Sequence, residues 1–286
     1  MAGAEARLGP GLYFVATPIG AARDITLRTL DILGQAEVLA AEDTRSLRHL
    51  MEIHGVALGG RPLLAYHDHN GAAMRPRILR ALEEGRSVAY ASEAGTPLVA
   101  DPGYQLARAA IGAGHKVISA PGPSAVLAAL TVSGLPTDRF LFAGFPPAAA
   151  GARKRFWAEL AAVPATLVIY ESPKRISRTL IELCESLGAL RQAAVCRELT
   201  KRFEEVSRGT LAELAEAFAA RDVKGEIVLV VDRAGEVVPE AGALEAALRE
   251  ALGRASVKDA AAEVAAALGL PRREVYQAAL KLGEAE

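Results

Sequence analysis

The chain has 286 residues, 51% of them apolar and 23% charged, enough material for one large or two medium hydrophobic cores and unlike a disordered chain. Its formal net charge of -1 gives no long-range attraction to phosphate, so any nucleic-acid contact has to come from a local concentration of basic side chains. Only two cysteines occur, Cys184 and Cys196, and no stretch approaches the roughly 18 uninterrupted apolar residues of a membrane helix. A disulfide scaffold and a membrane span are therefore not expected, and a reduced, cytoplasmic setting is.

The first ten residues show no basic region followed by an apolar run, so an unexported protein is expected. From there, short β-branched runs alternate with segments of helical period, the pattern of a mostly parallel sheet covered by helices. Residues 12–16 open as a strand, a helix over 26–33 ends at Gly34, and 38–41, 86–91 and 116–119 supply further strands. These make one α/β unit over residues 1–121. After Pro121 the alternation restarts with a helix over 125–131, strands at 140–143 and 166–170, a helix over 175–187, and strands at 194–197 and 226–231. A second α/β unit over 122–232 is the simplest account. Residues 232–242 carry charges, a proline and two glycines without apolar periodicity, the composition of a linker. Residues 243–286 are purely helical in pattern. An alanine-rich helix starts near Ser256, Gly269-Leu270-Pro271 breaks it, and the next helix carries Arg272, Arg273 and Glu274 in its first turn, the spacing of a helix-turn-helix. That basic turn suits contact with phosphate, although short helical tails also pack on their own domain or a partner.

The segments that carry chemistry follow expected strands, where open α/β sheets place their ligands. Thr17-Pro18-Ile19-Gly20 is a tight turn that admits close approach to the backbone, and it lacks the G-x-G-x-x-G spacing of a dinucleotide fold. Residues 92–103, with two glycines and two prolines, form a rigid loop with free amides between a strand and a helix. Pro121-Gly122-Pro123-Ser124-Ala125 leads into a helix whose orphan amides and Ser124 hydroxyl suit a carboxylate, or make an ordinary serine cap. The polar groups Glu42-Asp43-Thr44-Arg45, His67-Asp68-His69-Asn70, Tyr170-Glu171-Ser172-Pro173-Lys174-Arg175 and Arg197-Glu198-Leu199-Thr200-Lys201 mix acids with bases. They suit proton transfer beside a held phosphate, and equally helix caps with local ion pairs. His67 and His69 lack a matching third ligand motif, so no metal site is expected.

Taken together, the ordered motifs TPIG, AAEDTR, HDHN, AGTPLVADPG, PGPSA, GLPTDRF, YESPKR, RELTK and KGE, spread from Thr17 to Glu226, resemble the 16S ribosomal RNA cytidine 2′-O-methyltransferase branch of the tetrapyrrole methylase superfamily. The helical tail resembles that branch's C-terminal extension. The resemblance implies two α/β domains of the tetrapyrrole methylase type, S-adenosylmethionine in the cleft between them, and a homodimer acting on 16S rRNA in the small ribosomal subunit. Carried over position by position, it makes Pro18, Ala94, Gly95, Thr96, Val99, Ser124, Ala125, Glu171 and Gly209 the expected cofactor residues. Asp43 is the expected catalytic group that engages the ribose hydroxyl, with Arg45, Lys174, Arg175 and Lys201 holding phosphates.

Some positions depart from the pattern. Gly95-Thr96-Pro97 stands where tetrapyrrole-acting relatives have Gly-Asp-Pro, and TPIG where they carry a more glycine-rich turn. Both favour RNA over the alternative, a methyltransferase acting on a tetrapyrrole or other small molecule. Against the RNA branch itself, Glu93 replaces Asp, Lys174 replaces His, and Ala21-Ala22 replace Asn-Leu.

Overall fold

The computed structural model describes residues 8–100, 103–234, 243–268 and 272–283. Most of the expected linker and the Gly269-Leu270-Pro271 break lie outside them. In chain order the elements are β1 (Gly11–Val15), α1 (Leu27–Gln35), β2 (Val38–Ala41), α2 (Thr44–Ile53), β3 (Leu63–Ala65), α3 (Gly71–Glu83), β4 (Ser87–Ala91), α4 (Tyr104–Gly112), β5 (Val117–Ala120), α5 (Ala125–Ser133) and β6 (Phe140–Gly144). There follow α6 (Ala150–Ala161), β7 (Thr166–Glu171), α7 (Ile176–Leu187), β8 (Gln192–Arg197), β9 (Glu205–Thr210), α8 (Leu211–Phe218), β10 (Ile227–Val231), α9 (Ala243–Leu252), α10 (Val257–Leu268) and α11 (Arg272–Gly283).

Strands β1 to β5 form one sheet in the order β3-β2-β4-β1-β5, every pairing parallel. A parallel sheet is apolar on both faces because its crossover helices cover both. Leu12, Phe14, Val88 and Tyr90 point into one core with Ile78 and Leu106 from α3 and α4. The alternate residues Tyr13, Val15, Leu39 and Ala89 point into the other, with Leu33 and Leu47 from α1 and α2. Each neighbouring pair of side chains in a strand thus serves a different core, as the two-residue period requires.

The second sheet has the order β6-β7-β10-β8-β9 and is mixed. Only β6 and β7 run parallel, and the other three pairings are antiparallel. The expectation of a mostly parallel sheet holds for the first unit and fails for the second. β8 and β9 are joined without an intervening helix, so β9 returns antiparallel against β8, and β10, which follows α8, inserts antiparallel between β7 and β8. Leu167, Ile169, Val195 and Leu229 pack under α6, α7 and α8. The opposite face, with Val168, Ala194, Cys196 and Val230, is covered by α5 through Val126, Ala129 and Leu130, together with Ile19 of the first unit. Burial pushes the Cys196 thiol up to about 12, while Cys184 is half-buried, and both are free.

The three C-terminal helices share their own small core of Leu248, Ala260, Val264 and Val275. Ser256 caps α10, its hydroxyl accepting from the Asp259 amide at 3.2 Å. Arg272 and Arg273 are exposed at the start of α11. Among the described residues no helix is long and apolar enough to cross a membrane.

One charged cluster ties α6 to α7. The buried Arg153 forks onto Glu182 at 2.7 and 2.8 Å, and Trp157 Nε1 and Arg178 Nε donate to the same carboxylate at 3.0 and 2.9 Å. The Arg153 guanidinium foremost, opposed by burial and aided by Trp157 and Arg178, holds the Glu182 carboxyl at about 2 against its ordinary 4.5. That difference corresponds to at most about 3 kcal/mol of folding stability. A carboxylate lowered in the folded state contributes above its unfolded value and loses the contribution as pH falls toward 2. Glu182→Gln should therefore lower the melting temperature clearly at pH 7, and the gap to wild type should close between pH 4.5 and 2 in a calorimetric series.

Candidate active site

A cavity of about 710 Å³ opens between the two sheets. Its walls are the ends of elements. The first unit contributes the turn after β1, the start of α2 and the loop after β4. The second contributes the start of α5, the loop after β7, Lys201 and the first residues of β10. Because β10 runs antiparallel to β7, with Ile227 opposite Glu171, its beginning meets the end of β7 at the same rim.

The loops of the first unit are tied to one another. Thr17 and Gly95 exchange backbone hydrogen bonds at 2.9 and 3.0 Å. The Ser92 hydroxyl donates to the Gly95 carbonyl at 2.8 Å, and the Thr96 hydroxyl donates to the Pro123 carbonyl at 2.9 Å. Gly95 has φ +80°, and a Cβ there would meet Ile19 at 3.3 Å, so conformation and space both call for glycine. Among the described residues the non-glycine positions with positive φ are Leu98, Ala100, Glu198 and Thr200. All four lie in the two loops that flank the cleft, where strain of about 1–3 kcal/mol each is held by the surrounding packing.

Gly20 plays a different part from the one its sequence suggests. A Cβ there would fall 2.5 Å from the Thr200 hydroxyl and 2.6 Å from Lys201 Cγ. Its missing side chain makes room for the second unit's loop rather than for a ligand. The Ala21 amide donates to the same Thr200 hydroxyl at 3.1 Å.

Pro18, Ala94, Gly95, Thr96, Val99, Ser124, Ala125, Glu171 and Lys201 all line the cleft, and Gly209 does not. Gly209 lies on β9 opposite Ala193, at the far end of β8 from the Arg197–Ile227 pairing that meets the rim. It sits beside the capping box of Thr210 and Glu213 that starts α8. A Cβ on Gly209 would fall 2.9 Å from Glu213 Oε2.

Ser124 stands at the N-cap of α5 but makes no side-chain cap bond. Its hydroxyl, free among the described residues, and the first amides of α5 face the cavity, a suitable set for an anionic or hydroxyl-bearing ligand. Glu171 contributes wall rather than charge. Its fully buried carboxylate accepts from the Ser172 amide at 2.7 Å, the Thr179 hydroxyl at 2.6 Å and Arg175 Nε at 2.8 Å.

Asp43 is the N-cap of α2, accepting from the Arg45 amide at 2.8 Å and from the Arg45 guanidinium at 3.0 Å. Those bonds hold its carboxyl below the usual range, and it does not line the cleft. Its neighbour Glu42 does, along with Ser46 and Glu93, and Glu42's carboxylate has no partner among the described residues.

The four expected phosphate-holding cations divide in the same way. Arg45 is paired with Asp43, Arg175 with Glu171, and Lys201 with Glu198 and Glu226 at 3.0 Å each. Burial works against the Lys201 ammonium, yet the two carboxylates outweigh it and raise its pKa. Lys174 is exposed and unpaired among the described residues. Phe145 and the first residues of β10 were not expected at the site. Phe145 packs edge-to-face on Tyr170 at 5.4 Å, and no local motif marks it. His67 and His69 stand edge-to-face 6.0 Å apart, and Asn70 caps their loop by accepting from the His67 amide.

Residues 11–215 match the family model of the tetrapyrrole (corrin/porphyrin) methylases, and residues 238–283 match that of the RsmI C-terminal HTH domain. The chain is 47% identical over 276 residues to a Mesorhizobium japonicum protein named ribosomal RNA small subunit methyltransferase I, covering 96% of this chain and 93% of that one. It is 44% identical to the Xylella fastidiosa protein of the same name, over 93% of this chain and 98% of that one. The crystal structure of Thermus thermophilus uroporphyrin-III C-methyltransferase in complex with S-adenosylhomocysteine superimposes with a TM-score of 0.54 at 21% identity, covering 78% of this chain and 97% of that one. At that identity the likeness speaks for the fold.

Gly20→Ala tests the junction of the two units. Overpacking against Thr200, Lys201 and the Leu199 carbonyl should cost about 1–3 kcal/mol in urea unfolding. A stability equal to wild type would show that the two loops are not in contact.

Proposed function

The chain belongs to the tetrapyrrole (corrin/porphyrin) methylases, and from that premise we propose that it methylates the ribose 2′-oxygen of a cytidine in 16S ribosomal RNA, with S-adenosylmethionine as donor. It is a methyltransferase. The observation that carries the RNA reading is near-full-length similarity to ribosomal RNA small subunit methyltransferases, extending through the C-terminal helices. The motifs from Thr17 to Glu226 support the cytidine and the 2′-oxygen.

The cavity suits the donor. About 710 Å³ lies within the range of cofactor sites, and its walls offer the uncommitted Ser124 hydroxyl, the amides of α5 and the glycine backbone at Gly95. Pro18, Ala94, Gly95, Thr96, Val99, Ser124 and Ala125 would hold it, with the Glu171 backbone as wall. The sulfonium donor supplies a methyl group that is already electrophilic. The protein's task is then to align a ribose oxygen and to take or share its proton.

We assign the proton to Glu42, the carboxylate that faces the cleft without a partner. Asp43 is a positioning residue that caps α2 and fixes Arg45. A carboxylate already held by three hydrogen bonds and lowered in pKa is a poor proton acceptor. Lys174 faces the RNA backbone from the second unit, while Lys201 is held by Glu198 and Glu226. A homodimer working in the cytoplasm, where small ribosomal subunits are found, completes the proposal.

Tritiated S-adenosylmethionine incubated with assembled small subunits should label one cytidine at its 2′-oxygen, located by digestion and mass spectrometry. Labelling of porphyrinoid precursors instead would overturn the proposal. Glu42→Gln should lower kcat about 100-fold or more while cofactor affinity stays within about twofold. Asp43→Asn should have the smaller effect of the two. The reverse order would return the proton to Asp43.

A further inference from the structure

A second cavity of about 270 Å³ lies beside the cleft and is lined by Thr44, Arg45, Arg48, His49 and Glu52 of α2. Spacings of four residues place these side chains on one flank of the helix. Ser46, on the other flank of the same first turn, faces the cleft with Glu42. The two cavities are therefore separated by the width of one helix.

Arg48 keeps its charge unpaired in this second cavity, which Glu52 lines as the one carboxylate. Arg45 gives Nε and Nη2 to Asp43, which leaves Nη1 open. Arg48 is exposed and makes no hydrogen bond or ion pair among the described residues. His49 has only a loose contact with Glu52, at 3.9 Å between two exposed groups, which is worth little. An unpaired guanidinium beside a half-open one offers fork geometry to a phosphate. In a protein whose net charge is -1, such free cations are the groups that displace counterions from nucleic acid. Three of the four cations expected to hold phosphate are already neutralised by carboxylates of the protein itself.

We infer that the α2 flank formed by Arg45, Arg48 and His49 is a phosphodiester-binding pocket that seats the RNA backbone next to the ribose presented to Glu42. The inference rests on the RNA reading above. Arg48 is its main anchor, because it brings a whole positive charge and gives up no internal bond on binding.

Steady-state methyl transfer to isolated small subunits at several salt concentrations tests this, with wild type, Arg48→Ala and Arg48→Lys. Arg48→Ala should raise KM for the subunits about tenfold, leave kcat and the affinity for S-adenosylmethionine unchanged, and reduce the slope of log KM against log salt by about 1. Arg48→Lys should keep most of the slope. An unpartnered surface side chain has no structural role to lose, so the melting temperature should stay constant across the three. Equal KM and slope for Arg48→Ala and wild type would overturn the pocket and leave the RNA reading standing. A wild-type enzyme that binds S-adenosylmethionine but transfers no methyl to the subunits would overturn the RNA reading and the pocket together.

Discussion

The architecture turns on one close approach, where the turn after β1 meets the loop between β8 and β9. Gly20 leaves the space that Thr200 and Lys201 occupy, and the Ala21 amide is held by the Thr200 hydroxyl. Glu198 and Thr200 adopt left-handed backbone conformations to reach that position. The strain is tolerable only because the loop is held from several sides. Lys201 bridges Glu198 and Glu226, and the Glu226 amide donates to Glu198 at 2.9 Å. Two separately folded sheets are thereby set at a defined separation, and a cleft lined from both follows from it.

Once the cleft is set, its polar groups fall into two kinds. Glu171 in the wall is held by Arg175, and Asp43 beside the cleft is held by Arg45. Ser124, Glu42, Lys174 and Arg48 have no partner among the described residues and are available for chemistry or binding. A saturated ion pair gives rigidity at modest net energy. A free group is where a substrate gains most, because no internal bond has to be broken first. On the proposed reading, the proton-accepting role falls to the unpartnered Glu42 rather than to Asp43, which is held by Arg45.

Much of the first sheet was legible in the sequence. The runs at 12–16, 38–41, 86–91 and 116–119 lie within a residue of β1, β2, β4 and β5, because a strand buried on both faces is a compact apolar run bounded by turn residues. β3 was missed, since three residues carry no period. The second sheet was misjudged in direction, because an apolar run looks the same whichever way its partner runs. β9, with the sequence Glu-Val-Ser-Arg-Gly-Thr at a half-buried sheet edge, offers no apolar period at all, and Gly209, expected at the cofactor from the family resemblance, stands at its end beside the Thr210 cap of α8. At the site, the glycine and proline turns were legible because their backbone demands are local. Which of Glu42 and Asp43 faces the cleft was not obvious, although the N-cap preference of Asp before Thr44 and Arg45 was the available signal. Pairings across the chain, such as Lys201 with Glu226, depend on tertiary approach and leave no trace in spacing.

The central claim is that the methyl donor binds between the two sheets, against the Gly95 loop and the start of α5. The most direct measurement is a crystal structure of the protein soaked with S-adenosylhomocysteine. Density is expected in the 710 Å³ cleft, within hydrogen-bond distance of Ser124 and of the backbone around Gly95. Density at any other place on the protein, with that cleft filled only by solvent, would contradict it.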